Sequence, residues 1–158
     1  MQIDYTALPL TGEKVIPAEY LDFLGHMNVM WYTHLFNEAT FAFYDSFGFG
    51  VDYHTNSGNG SMALTQHVSY LREIRIGDHI TIRTRMLGYS EKRFHYIHFM
   101  LRDDARLSAT MEILGIHTDM STRRASPLPP GVTAAFDALL VTHNKLDWQP
   151  PLSGAVSP

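Results

Sequence analysis

The segment Phe94–Arg102 constrains the fold of this chain more than any other. Successive side chains of a strand point to opposite faces, so Phe94, Tyr96 and Met100 crowd one face while Ile97, Phe99 and Leu101 crowd the other. A strand apolar on both faces has to be covered on both. Three further stretches read as strands: Ser61–Leu71, His79–Gly88 and Leu107–Asp119. The turn formers Gly77-Asp78, Ser90-Glu91-Lys92-Arg93 and Asp103-Asp104-Ala105 divide them. Along His79–Gly88, Ile80, Ile82 and Met86 alternate with Thr81, Arg83 and Arg85, which leaves one face wet.

Upstream, Gly12–Tyr20 reads as a first strand in which Pro17 suits an edge or a bulge. Asn28–Phe47 reads as the one long helix. Trp31, Tyr32, Leu35, Phe36, Ala39, Phe43 and Phe47 recur at three- and four-residue spacing, and Gly48 stands where a helix-ending glycine would. Val51–Gly60, dense in Asn, Ser and Gly, reads as a loop. Pro130–Leu140 suggests a short terminal helix, and the proline-rich residues 149–158 a flexible tail. The expected architecture is α+β: one domain over residues 1–148 in which a five-stranded antiparallel sheet wraps a long central helix. One helix covers one face of a sheet, so the other face is expected to meet a second copy, giving a homodimer or homotetramer.

Composition excludes several functions. A chain of 158 residues with net charge −4 offers no basic stripe to nucleic acid. The lack of cysteine removes disulfides, thiolate metal sites and a cysteine nucleophile together. Met1–Leu10 lacks the apolar core of a signal peptide, and no apolar run approaches the roughly 20 residues of a membrane helix, so a cytoplasmic protein away from membranes is expected. There is no G-x-S-x-G elbow, phosphate loop or dinucleotide fingerprint. Nine histidines invite a metal, yet His95 and His98 would face opposite sides of a strand. His34 and Glu38 supply only one pair, where a catalytic zinc usually takes three protein ligands. Neither a metal nor a separate cofactor is expected.

The chemistry gathers just ahead of the long helix, at Asp22-Phe23-Leu24-Gly25-His26-Met27-Asn28. A carboxylate there stands beside a helix N-terminus, whose unpaired N–H groups point outward. A carboxylate base or nucleophile facing such donors is what acyl transfer needs. The plain alternatives are that Asp22 or Asn28 caps the helix and that His26 satisfies a turn carbonyl.

With these residues the chain resembles the hotdog-fold acyl-CoA thioesterases, in the 4-hydroxybenzoyl-CoA thioesterase-like branch. The resemblance spans Gly12 to Asp119. It rests on Asp22-x-x-Gly25-His26-x-Asn28, on Tyr32, on Phe36-x-x-Ala39, and on Tyr70-x-x-x-Ile74-x-x-Gly77-Asp78. It departs at Val29, where members of the branch often carry a second asparagine. A narrower likeness, to the betainyl-CoA thioesterases, is carried by Asn56-Ser57-Gly58-Asn59, His67-x-x-Tyr70-Leu71-x-Glu73 and Lys92-Arg93-x-His95.

The resemblance implies hydrolysis of an acyl-CoA thioester, with coenzyme A entering only as part of the substrate. Asp22 would attack the carbonyl carbon or deprotonate a water. His26 and Asn28 would position substrate or water, and backbone N–H groups near Asn28 and Val29 would hold the oxyanion. Trp31 and Tyr32 would touch the acyl group, unless they are core. Arg72, Lys92 and Arg93 would meet the phosphates of CoA. A hydratase or dehydratase on the same carrier, or a non-catalytic acyl-CoA binding module, are the competing functions.

Overall fold

A computed structural model describes residues 3–158. Strand β1 (Leu10–Val15) leads through a 3₁₀ turn (Ala18–Tyr20) to the long helix α1 (Val29–Asp45). A short helix α2 (Val51–Ser57) precedes strands β2 (Asn59–Tyr70), β3 (His79–Tyr89), β4 (Arg93–Arg102) and β5 (Leu107–Asp119). A two-residue strand β6 (Arg124–Ala125) and helix α3 (Pro130–His143) follow. The sheet runs β1-β3-β4-β5-β2 with every pairing antiparallel, and β6 adds a short sixth strand beside β5. This is the expected helix-in-sheet α+β architecture. No helix among the described residues is long and apolar enough to cross a membrane.

Two elements differ from their sequence reading. The first strand stops at Val15, and Pro17 opens the 3₁₀ turn, so Tyr20 leaves the sheet and is buried beneath α1. Val51–Ser57 is helical and not a loop. It buries no residue fully and therefore writes no apolar stripe into the sequence; Gly58, with φ +71°, ends it in the left-handed conformation that glycine adopts freely.

The sheet's inner face closes on α1. Tyr32, Leu35, Phe36, Ala39, Phe43 and Tyr44 of the helix pack among Met86, Phe94, Tyr96, Met100 and Ile113 of the strands. Through this layer runs a chain of polar side chains. Thr11 meets Thr84 at 2.7 Å, Thr84 meets His98 Nδ1 at 2.7 Å, and His98 Nε2 meets Thr40 at 2.9 Å. Tyr96 continues the chain, 3.3 Å from Thr40 and 3.1 Å from Tyr44. Burial lowers the His98 imidazole to about 3, so the ring is neutral at physiological pH.

The outer face is where expectation needs correcting. The chain's own ends cover it. Tyr5 and Leu8 from the N-terminal segment pack on Ile97, Phe99 and Leu101, joined by Leu146 and Trp148 from beyond α3. Arg85 fastens the second of these, donating to the carbonyls of His143 (3.0 Å) and Trp148 (2.9 Å) with its guanidinium over the indole. Further along, the Ser153 amide donates to Glu112 (2.7 Å), which pairs with His95 at 2.8 Å. A second copy is therefore not needed to bury β4. The fold leaves two edges open: the six-residue β1, and β2, a twelve-residue edge strand with Met62, Leu64 and Tyr70 exposed.

Candidate active site

The turn before α1 is held from four directions. Leu21 and Met27 form an isolated antiparallel bridge, and the Asp22 amide donates to the His26 carbonyl at 3.0 Å. The Met27 amide donates to Ile74 (2.7 Å) and the Asn28 amide to Tyr20 (2.9 Å). Gly25 takes φ +82° at the tip, which is why a glycine stands before His26. These bonds tie the Asp22–Asn28 loop to both the 3₁₀ turn and the segment leading to β3.

Within the turn, Asp22 Oδ1 accepts from the Leu24 amide (2.8 Å), while Oδ2 lies 3.7 Å from His26 Nδ1. The carboxylate is 18% exposed and the imidazole 34%. Asn28 is the N-cap: its side-chain oxygen accepts from the Met30 amide at 3.0 Å. Of the two backbone donors expected to hold an oxyanion, the Asn28 N–H is thus engaged with Tyr20. The Val29 N–H has no acceptor among the described residues and sits at the positive end of a seventeen-residue helix.

Beside Val29 opens a cleft of about 250 Å³, lined by His26, Met27, Val29 and Tyr32 on one side and by Tyr70, Leu71, Arg72 and Glu73 on the other. The structure brings Arg72 here, steadied by a 2.7 Å bond from Nη1 to the Leu107 carbonyl. Tyr32 is 4% exposed, meets Tyr70 edge-on at 5.1 Å, and is pushed by burial up to about 12. Trp31 does not line the cleft; it stacks on Tyr20. Asp22 is likewise absent from the lining and stands next to His26.

Lys92 and Arg93 are not brought here. Lys92 accepts from the His117 amide and Arg93 pairs with Ile116, whereas Arg72 binds back to Ser108 and Leu107, at the other end of β5. Leu71 and Glu73, which the sequence offered only within the betainyl-like His67-x-x-Tyr70-Leu71-x-Glu73 pattern and not as site residues, form part of the cleft wall. The remaining expected pairs lie elsewhere. His34 and Glu38 face each other on the exposed side of α1 at 3.4 Å, and His95 and His98 take opposite faces of β4, as the strand period requires.

The model of the thioesterase-like superfamily matches residues 16–136 of this chain. An L-carnitine dehydrogenase/betainyl-CoA thioesterase of Agrobacterium fabrum is 32% identical over 140 residues, covering 88% of this chain but only 28% of that protein. The chain thus spans under a third of the length of that relative. A betainyl-CoA thioesterase of Pseudomonas aeruginosa is 28% identical over 137 residues, with 86% of each chain covered. Among solved structures, a Staphylococcus aureus protein in complex with CoA superimposes with a TM-score of 0.86 over 96% of both chains at 22% identity. A DHNA-CoA thioesterase of the same organism gives 0.77 over 87% of this chain and 94% of that one, at 18% identity. At those identities the likeness is one of fold. With its model matched over residues 16–136, the chain belongs to the thioesterase-like superfamily.

Proposed function

We propose that this protein hydrolyses an acyl-CoA thioester to a free acid and CoA. One observation carries the reading: a tethered turn sets a half-buried carboxylate–imidazole pair, Asp22 and His26, beside a helix end whose Val29 N–H is uncommitted. The thioester carbonyl enters the cleft and turns its oxygen to Val29. Charge developing there meets a fixed donor and the helix dipole, worth on the order of 3 kcal/mol in the transition state. Asp22 supplies the electron pair, either attacking the carbonyl carbon or taking a proton from water. His26, which lines the cleft beside Asp22, positions that water or the carbonyl. Asn28 holds the helix end in shape.

The acyl group is read as betainyl, on the identity to two curated betainyl-CoA thioesterases and on the aromatic walls Tyr32 and Tyr70. An aromatic face attracts a quaternary ammonium. The working unit is read as a homodimer through the open edge of β2, because a long strand paired on one side only, with exposed Met62, Leu64 and Tyr70, is otherwise an aggregation hazard. A cytoplasmic location is part of the same reading.

The test is thiol release over a panel of acyl-CoAs that includes betainyl-CoA and butyryl-CoA. Steady turnover of at least one member is expected. Tight binding of every member without release of thiol would make the protein a binding module instead.

A further inference from the structure

Resting on the acyl-CoA reading above, we propose that the nucleotide end of CoA lies within the same chain, in a groove between the N-terminal segment and the end of the sheet. Its phosphates would be held there by Arg72, Arg106 and Arg102. The groove continues from the active-site cleft. Arg72 lines both that cleft and a second cavity of about 410 Å³, which also contains Arg106. Ile3, Tyr5 and Ala105 then pass from the second cavity into a third of about 460 Å³ that holds Arg83 and Arg102. The three openings therefore follow one another around the end of the sheet, and each of the outer two is of the size of a small-molecule site.

The charges in the groove suit an anion. Arg72 and Arg83 each commit one terminal nitrogen, to the carbonyls of Leu107 and Leu8 respectively. Arg102 makes only a 3.7 Å ion pair with Asp78. Three acids line the groove as well: Asp103 is bound to His79, Asp4 accepts from Thr6, and Asp104 lies 3.5 Å from Arg106, whose guanidinium it shares with any bound phosphate. The guanidinium forks that remain match phosphate oxygens two at a time. In a chain of net charge −4, the four arginines of the two outer cavities outnumber their three aspartates, and Arg72 and Arg83 make no ion pair among the described residues. Lys92 and Arg93, at the far end of β5, reach the same CoA only if a second copy supplies them.

Calorimetric titration of the full chain with CoA and with pantetheine, which lacks the nucleotide, separates the possibilities without requiring turnover. CoA is expected to bind at least ~10-fold tighter than pantetheine, with a margin that shrinks as salt rises. Arg102→Gln and Arg106→Gln, both at exposed or half-exposed side chains, should each remove part of that margin, and the double variant most of it. The affinity for pantetheine should move less than ~2-fold, since neutral contacts are unaffected. The groove is overturned if CoA binds no tighter than pantetheine, if the double variant keeps the wild-type margin, or if Lys92→Gln/Arg93→Gln abolishes it instead. An arginine-dependent margin in a protein that releases no thiol would uphold the groove and sink the thioesterase reading alone.

Discussion

Trp31 lies flat on Tyr20, ring centroids 3.8 Å apart and planes within 6°. The stack occupies one face of the indole, and His34 meets the ring edge-on at 5.3 Å. The aromatic walls of the cleft are Tyr32 and Tyr70. Cation–π attraction to a desolvated trimethylammonium is worth up to about 2 kcal/mol, roughly a 30-fold preference. Tyr70→Leu should erode the ratio of kcat/KM for betainyl-CoA over butyryl-CoA toward that limit. Trp31→Leu should lower Tm and keep the ratio. An unchanged ratio in Tyr70→Leu would move the ammonium out of this cleft.

Asp22→Asn preserves the oxygen that accepts from Leu24 and removes the charge. Turnover should fall at least ~100-fold, the lower scale for losing a base or nucleophile, while Tm stays close to wild type. Near-normal turnover in the folded variant would exclude Asp22 from the chemistry.

Val29→Pro tests the oxyanion role proposed for the Val29 N–H. Proline is well tolerated at the first helical position, where the N–H has no helical partner, and Asn28 already has the extended backbone (φ −65°, ψ 143°) that a following proline demands. The substitution should therefore leave the fold intact and cost ~10²–10³ in kcat. A Val29→Pro protein with wild-type kcat shows that the carbonyl oxygen is held by some other group.

Stability should decline on acidification in a way that His98 controls. Burial lowers this imidazole from 6.5 to about 3, and burial likewise lowers His143 to about 4. Between those values and 6.5 the unfolded chain takes up protons that the folded one refuses, so stability is full above about pH 6.5 and is lost as pH falls. Each such group adds a slope approaching ~1.4 kcal/mol per pH unit. Denaturant titrations from pH 7 to 4 should give a shallower slope for His98→Asn than for wild type, whatever its absolute stability. Parallel lines would mean that the ring is charged in the folded protein.

Leu64 lies 48% exposed at the bulge of β2, in the middle of the open edge. A carboxylate there should oppose its own copy across a two-fold pairing. Sedimentation at micromolar concentration should give a dimer or larger for wild type and a shift toward monomer for Leu64→Asp. A wild-type monomer would leave the edge without the partner assigned to it.

The four long strands were legible to within two residues because alternation and turn formers act locally: Gly77-Asp78 and Asp103-Asp104-Ala105 stand where the chain reverses. The Asp22–Asn28 turn was legible for the same reason, since Asp22, Gly25 and Asn28 each have a conformational job within seven residues. What stayed hidden depends on distance along the chain. Tyr5 and Trp148 meet each other at 5.2 Å over Phe99, yet neither sits in a periodic segment. The engagement of the Asn28 amide by Tyr20 was equally invisible, because Pro17 was read as part of a strand when it starts the turn that aims the Tyr20 carbonyl.

That meeting of Tyr5 and Trp148 joins two segments far apart in the sequence over one face of β4. Ile97 and Phe99 are synthesised long before Trp148, and loop closure across such a span is slow to be repaid by contacts. A sheet that has formed while Leu146 and Trp148 are still undocked shows an oily face over Ile97, Phe99 and Leu101. Anything that keeps the Leu146–Trp148 segment from docking should therefore promote aggregation, and that segment, fastened by Arg85, acts as a latch on the sheet.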